Sequence, residues 1–200
     1  MGPGRRTTTI VLMGVAGAGK TTVMAGLAGR LGWATAEGDD FHSPENVAKM
    51  RAGVPLTDDD RRPWIAALSV WIGEREAANG GAGENAIVAC SALRRSYRDL
   101  LRDGHPSVLF VHLVAPAATL ETRLHERPGH YMPPALLGSQ LETLEPLGPD
   151  EPGAVVATDA GPAVVVDAIL SMPAAGGLVD GGLWPGRHRP PAGPPGGTPA

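Results

Sequence analysis

Eight consecutive residues, Gly14-Val15-Ala16-Gly17-Ala18-Gly19-Lys20-Thr21, constrain this chain more than any other feature. They lie between an apolar run, Thr8 to Met13 (TTIVLM), and a helical pattern from Lys20 to about Leu31. A buried strand, a glycine turn and a helix therefore follow one another directly. Glycines in such a turn let backbone N–H groups converge on one point, and the helix start adds unpaired N–H groups and a positive end. The run fits G-x-x-x-x-G-K-[ST], a cradle for nucleotide phosphates. On this reading Gly14, Val15, Ala16, Gly17, Ala18, Gly19, Lys20, Thr21 and Thr22 hold ATP. Lys20 bridges the β- and γ-phosphates, and Thr21 places its hydroxyl on Mg²⁺. The chain has 17 basic residues, and only Lys20 and Lys49 are lysines. A lysine at position 20 thus marks a place that wants a compact ammonium. The competing reading, a glycine turn beside a surface lysine, leaves the flanking strand and helix unexplained.

The rest of the sequence to residue 172 alternates short apolar runs with helical patterns. Further strands are expected at Trp33 to Ala36, Ala86 to Cys90, Val108 to Val114 and Ala154 to Thr158. Ser43-Pro44-Glu45 reads as a helix start that stops by Gly53. Thr57 reads as a second N-cap, with Trp64, Leu68 and Trp71 recurring on one face. Helical stretches follow to Arg102, over Ala117 to Glu126 and over Pro162 to Met172. This alternation, with strands apolar on both sides, implies an α/β fold with a parallel sheet between helical layers.

Composition excludes several classes. Glycine and proline together number 48 of 200 residues, a level that approaches disorder, but from Pro173 to Ala200 they are 15 of 28. Residues 173–200 are expected to be a disordered tail attached to a domain spanning 1–172. A net charge of −4 argues against a nucleic-acid partner. A single cysteine, Cys90, excludes an internal disulfide framework and fits a reducing, cytoplasmic setting. Cys90 itself reads as a small buried strand residue. No apolar run reaches membrane-spanning length, and the N-terminal apolar run ends in the glycine loop rather than a cleavage site.

Glu37-Gly38-Asp39-Asp40-Phe41-His42 starts at the carboxyl end of the second strand, where open parallel sheets bind ligands. Phosphoryl transfer to a hydroxyl needs a carboxylate to orient the nucleophile and accept its proton. Asp39 is the candidate base, and Glu37 the candidate second group toward Mg²⁺. Taken alone, the segment reads better as a solvated acidic loop; its place about 20 residues after a phosphate loop reverses that in favour of chemistry.

Four segments in order, GVAGAGKT, EGDDFHSPENVAKMRAGVPLTDDDRRPW, VACSALRRSYRDLLR and RPGHYMPPALLGSQLETLEPL, resemble bacterial gluconate kinases. The resemblance runs from about Thr9 to Ile169. It implies a P-loop kinase three-layer fold, a five-stranded parallel sheet in order 2-3-1-4-5, and a mobile lid at about 127–143. It also implies ATP-dependent phosphorylation of D-gluconate at its 6-hydroxyl, and a homodimer. Arg94 and Arg98, four apart on a helix, are assigned to the substrate, with a solvated basic face paired to Asp99 and Asp103 as the alternative. Lys49 is assigned to the substrate side, with an exposed helix lysine as the alternative. Arg127 is assigned to the phosphates as a catalytic lid residue and Arg123 to the adenine side, with pairing to Glu121 or Glu126 as the alternative. His42, His130 and Gln140 complete the expected substrate set.

The chain departs from that resemblance at Ala16 and Ala18, where serines are common, and at Thr21, which replaces a serine but keeps a hydroxyl. Glu37 stands where aspartate is usual, and Gly138 and Leu141 stand where aspartate and phenylalanine are often found. Two other readings remain at this point: a kinase for another hydroxy-acid such as shikimate, and a non-catalytic nucleotide switch. ACSAL replaces the glycine run of shikimate kinases, and no N-K-x-D pattern supports a guanine switch.

Overall fold

The structure, a computed structural model, describes residues 7–126 and 136–172. Five strands form one sheet: β1 (Thr9–Met13), β2 (Ala34–Glu37), β3 (Ala86–Ala89), β4 (Val108–Val114) and β5 (Gly153–Ala157). Their order is β2-β3-β1-β4-β5, and every neighbouring pair is parallel. Seven helices connect and follow them: α1 (Lys20–Leu31), α2 (Pro44–Arg51), α3 (Asp58–Gly81), α4 (Arg95–Arg102), α5 (Ala117–His125), α6 (Leu136–Thr143) and α7 (Pro162–Ser171).

β1 explains the three layers. All five of its residues are buried. Ile10 and Leu12 face a core completed by Val23 and Leu27 of α1, Leu120 of α5 and Ile169 of α7. Val11 and Met13 face the opposite core, built on Trp64, Ile65, Leu68 and Ile72 of α3 and Leu101 of α4. A strand buried on both faces has no polar side, hence the unbroken TIVLM.

Local chemistry sets the helix ends. Thr57 and Asp60 form a reciprocal capping box at the start of α3. Ser43 accepts from the Asn46 N–H, with Pro44 at the first helical position of α2. α3 is the longest of the described helices, but Ala78, Asn79 and Gly80 leave helical dihedrals before its end. The expected strand and helix positions hold within about one residue, and α6 is an additional helix inside the expected lid span. Residues 173–200, the part of that lid span before Leu136, Arg127 and His130 lie outside the described residues.

Because the strands are parallel, β1, β2 and β3 end on one edge of the sheet. β1 releases the glycine loop there, β3 releases Ser91, and β2 runs into a 3-10 turn over Gly38–Phe41. The last turn depends on a close approach. A Cβ on Gly38 would sit 2.8 Å from the Ala89 carbonyl oxygen and 3.2 Å from Cys90 Cα, so only glycine lets the turn lie against β3.

Candidate active site

A cleft of about 490 Å³ opens on this edge. One wall is the glycine loop and the start of α1, through Ala16, Gly17, Gly19, Lys20, Thr21 and Thr22. Gly19 has φ +94, a left-handed conformation that costs a side-chain-bearing residue energy, and a Cβ there would meet no protein atom within 4 Å. Backbone conformation, not packing, requires this glycine. Lys20 Nζ donates to the carbonyls of Gly14 (2.8 Å) and Val15 (3.0 Å), which holds the ammonium over its own loop. Val15 and Ala18 are buried and brace the loop from beneath, so their side chains do not face the cleft.

The adjoining wall carries the acidic turn. Glu37 and Asp39 both line the cleft. Burial pushes the Glu37 carboxyl above the usual range; a hydrogen bond from Thr21 opposes that shift, and the nearby Asp39 reinforces it. Glu37 Oε1 is buried and has no hydrogen-bond partner among the described residues. A buried unpaired carboxylate oxygen is costly unless something cationic completes it. Beside the Thr21 hydroxyl, it is a fitting donor set for a hard divalent cation such as Mg²⁺. Mg²⁺ prefers one or two protein oxygens with the rest of its shell from phosphates and water. No cluster of three or more His, Cys, Asp or Glu capable of holding a metal occurs among the described residues.

His42 follows the turn and stacks on Trp64, with ring centroids 4.4 Å apart and planes 14° from parallel. Trp64 Nε1 donates to the Gly38 carbonyl at 2.6 Å, locking α3 to the turn. Burial lowers the His42 pKa, Asp39 opposes this and Arg61 adds to it, so the ring is neutral at pH 7. Its Nδ1 is buried without a partner among the described residues. Sequence reasoning placed Trp64 on a core stripe and did not single out Arg61, Tyr97 or Ser91, which also line this part of the cleft. The TDDDRRPW segment held the signal: a capping box there makes Arg61 and Trp64 successive residues, at spacing i, i+3, of one helix face.

Gln140 reaches the glycine loop rather than standing apart from it. Its Oε1 accepts the Ala16 N–H at 2.7 Å and ties α6 to the phosphate wall. Arg123 donates to the Thr158 hydroxyl (2.9 Å) and carbonyl (2.6 Å) and to the Gly17 carbonyl (3.4 Å). These bonds put it at the junction of the glycine loop and the end of β5, without the pairing to Glu121 or Glu126.

Three expected substrate contacts are not brought to the cleft. Lys49 pairs with Asp60 at 2.6 Å on the surface, and this bond with those from Thr57 holds the Asp60 carboxyl at about 2. Arg94 is the N-cap of α4, with φ −99 and ψ 147, so it lies outside the helix and does not share a face with Arg98. It binds both oxygens of Asp58, at 3.0 and 2.8 Å, and Tyr97 donates to the same carboxylate.

Arg98 is fully buried. Its Nε and Nη2 meet the Glu151 carboxylate at 2.5 and 2.9 Å. Nη1 donates to the carbonyls of Ala92, Leu93 and Glu145, and Nη2 also reaches that of Pro146. Burial works to raise the Glu151 carboxyl, but the Arg98 bonds prevail and hold it below the usual range. Ala92 has φ +41, a conformation rare for alanine. Arg98 therefore fixes the bend that carries Ser91 and Leu93 to the cleft, and an arginine so engaged has no donor left for a ligand.

Cys90 is buried, and burial pushes its thiol up to about 12, as suits an inert strand-end residue. No described helix is long and apolar enough to cross a membrane.

With this geometry in place, comparison with known proteins is informative. A family model described as an AAA domain matches residues 10–147. The gluconokinase of Gluconobacter oxydans is 48% identical over 161 residues, covering 80% of this chain and 88% of that protein. A gluconokinase structure from Sinorhizobium meliloti is 41% identical with a TM-score of 0.72, covering 88% of this chain and 94% of the other. An unliganded sugar kinase structure from Janibacter is 47% identical with a TM-score of 0.76, covering 85% of this chain and 98% of the other. Identity at this level over nearly the full length of such relatives establishes kinship, and the chain belongs to the gluconokinase family.

Proposed function

We propose that this chain transfers the γ-phosphoryl group of ATP to the 6-hydroxyl of D-gluconate, releasing ADP and 6-phosphogluconate. The observation that carries this reading is the joining of two walls in one cleft: a phosphate cradle bearing Lys20, and the acidic turn bearing Asp39, in a chain of the gluconokinase family.

The loop N–H groups and Lys20 hold the phosphates and offset charge on the transferred group. Asp39 orients the acceptor hydroxyl and takes its proton as the new oxygen–phosphorus bond forms and the bond to the leaving ADP oxygen breaks. The neutral His42, with an unfilled Nδ1, offers an acceptor for a hydroxyl of the polyol. Thr21 and Glu37 are the residues that would hold Mg²⁺, which when bound neutralises phosphate charge. Arg123 sits on the nucleotide side, and Gln140 links the glycine loop to α6. Arg127 and His130 keep the roles the resemblance implies, as do the lid and the homodimer. The cell compartment fitting this chemistry is the cytoplasm.

A coupled ADP-release assay over gluconate, other sugar acids, shikimate and nucleoside monophosphates tests the reading. Gluconate is expected to give the highest kcat/KM. Faster turnover of any other acceptor overturns it.

A further inference from the structure

Gluconate carries a carboxylate at the end of its carbon chain remote from the 6-hydroxyl, and the residues first assigned to that anion are engaged elsewhere. Among the described residues lining the cleft, the cations are Lys20, Arg61 and Arg123. Lys20 is held over the glycine loop, and Arg123 is tied to Gly17 and Thr158. Both belong to the phosphate side.

Arg61 differs from both. It projects from the first turns of α3, with its side chain 22% exposed. Its guanidinium carbon lies 5.8 Å from the centre of the Tyr97 ring. Among the described residues only Nη1 has polar partners, and both are long: 3.4 Å to the Tyr97 hydroxyl and 3.9 Å to Asp58. Nε and Nη2 have no hydrogen-bond partner among the described residues. Asp58 is shared: its carboxylate receives Arg94 twice and the Tyr97 hydroxyl and stands 3.9 Å from Arg61, so one negative charge faces two guanidiniums. The result is a half-buried guanidinium, oriented by an aromatic ring, with one edge of its fork open. That edge suits a carboxylate, which an arginine can bind through two parallel bonds.

Packing places Arg61 on the acceptor part of the cleft. His42 stacks on Trp64, which lies one turn further along α3 than Arg61, and all three line the cleft. Arg61 therefore stands with the acidic turn that ends in His42, not with the glycine loop over which Lys20 is held.

We infer that Arg61 is the residue that binds the acceptor's carboxylate and thereby selects a sugar acid over a neutral polyol. The inference rests on the reading that gluconate is the acceptor. With the carboxylate on Arg61, the polyol runs past His42 and its far hydroxyl meets Asp39. A neutral acceptor of equal length leaves the guanidinium partly desolvated and unpaired, which is the source of discrimination.

Steady-state kinetics on the wild type, Arg61→Gln and Arg61→Lys test this, with gluconate and with glucitol, its neutral analogue bearing CH₂OH in place of the carboxylate. Arg61→Gln is expected to raise the KM for gluconate roughly 30- to 100-fold, with the KM for ATP and the melting temperature nearly unchanged. The gluconate-to-glucitol ratio of kcat/KM should collapse by a similar factor. Arg61→Lys, which keeps the charge but loses the fork, should recover part of the loss.

An unchanged gluconate KM overturns the inference, as does an equal loss for both acceptors. If glucitol turnover is undetectable, the gluconate KM and its partial rescue by lysine decide. A wild type that does not phosphorylate gluconate overturns the proposed function and this inference together. A wild type that does, with Arg61→Gln unaltered, overturns this inference alone.

Discussion

The two ends of the cleft are built on different principles. On the phosphate side, residues 14–22 are contiguous, and their working groups are mostly backbone N–H groups. On the acceptor side, Asp39 and His42 come from the turn after β2, Arg61 and Trp64 from α3, and Tyr97 from α4. Their working groups are side chains. A backbone cradle tolerates side-chain change, so Ala16 and Ala18, which carry no hydroxyl, leave its N–H groups in place. A side-chain site tolerates little, because each group is placed by others: Trp64 by the Gly38 carbonyl, Arg61 by Tyr97, and the Ser91–Leu93 bend by Arg98.

The largest expected effects come from cutting each end at its key charge. Lys20→Ala should lower kcat roughly 10³- to 10⁴-fold and weaken ATP binding, with the fold intact. Asp39→Asn should lower kcat by a similar factor with the KM for ATP unchanged. Stopped-flow or steady-state measurements of both variants check the division. If Asp39→Asn weakens ATP while turnover persists, the two ends are not separable as described.

The same difference governs what could be read from the residues alone. Contiguity made the phosphate side legible, since a single strand–loop–helix segment carries the cradle, Lys20 and Thr21. The sheet was legible because strands buried on both faces leave unbroken apolar runs such as TIVLM and VLFVHLV. The acceptor side was legible only where it too is local, in Asp39 and His42. Arg94 and Arg98 illustrate the limit. Their spacing suggested a shared helix face, but α4 begins one residue after Arg94, so the spacing no longer sets their relative direction. The partner of Arg98 is Glu151, 53 positions away, and no local pattern announces such a pair. Arg61 was hidden in the opposite way: its cap and helix were visible, but not the Tyr97 ring that aims it.

Arg98 tests whether the acceptor side depends on a buried brace. Arg98→Ala leaves the Glu151 carboxylate buried without its partner, and loss of one member of a buried pair costs about 3–5 kcal/mol. Denaturant unfolding should show that loss. Arg98→Lys keeps a charge beside Glu151 but cannot bond the Ala92, Leu93, Glu145 and Pro146 carbonyls together, so it should lose less stability. In that folded variant the KM for gluconate should rise more than the KM for ATP. Equal rises would mean that the brace serves both ends alike.

A smaller effect arises where the two ends meet. His112 lies in β4 opposite Met13, immediately before the glycine loop, and is 5% exposed. Burial lowers its pKa to about 4, and Arg98 and Lys20 add to that depression, so it senses a cation from each side. A histidine held neutral in the fold but free to protonate when unfolded adds stability above the unfolded pKa of about 6.5, and that stability is lost as pH falls toward 4. Between pH 7 and pH 5 the loss from this group should be about 2 kcal/mol. Unfolding free energies of the wild type and His112→Gln across that range check it, with a shallower pH slope expected in the variant. Lys20→Ala and Arg98→Lys both bear on this ring: removing the Lys20 charge should raise the His112 pKa only slightly, because burial, its main cause, remains, whereas keeping a cation at position 98 should leave it unmoved. NMR titration of the His112 ring in the two variants distinguishes them. Equal shifts in both would show that the phosphate side and the brace reach this histidine through a common rearrangement and not through separate charges.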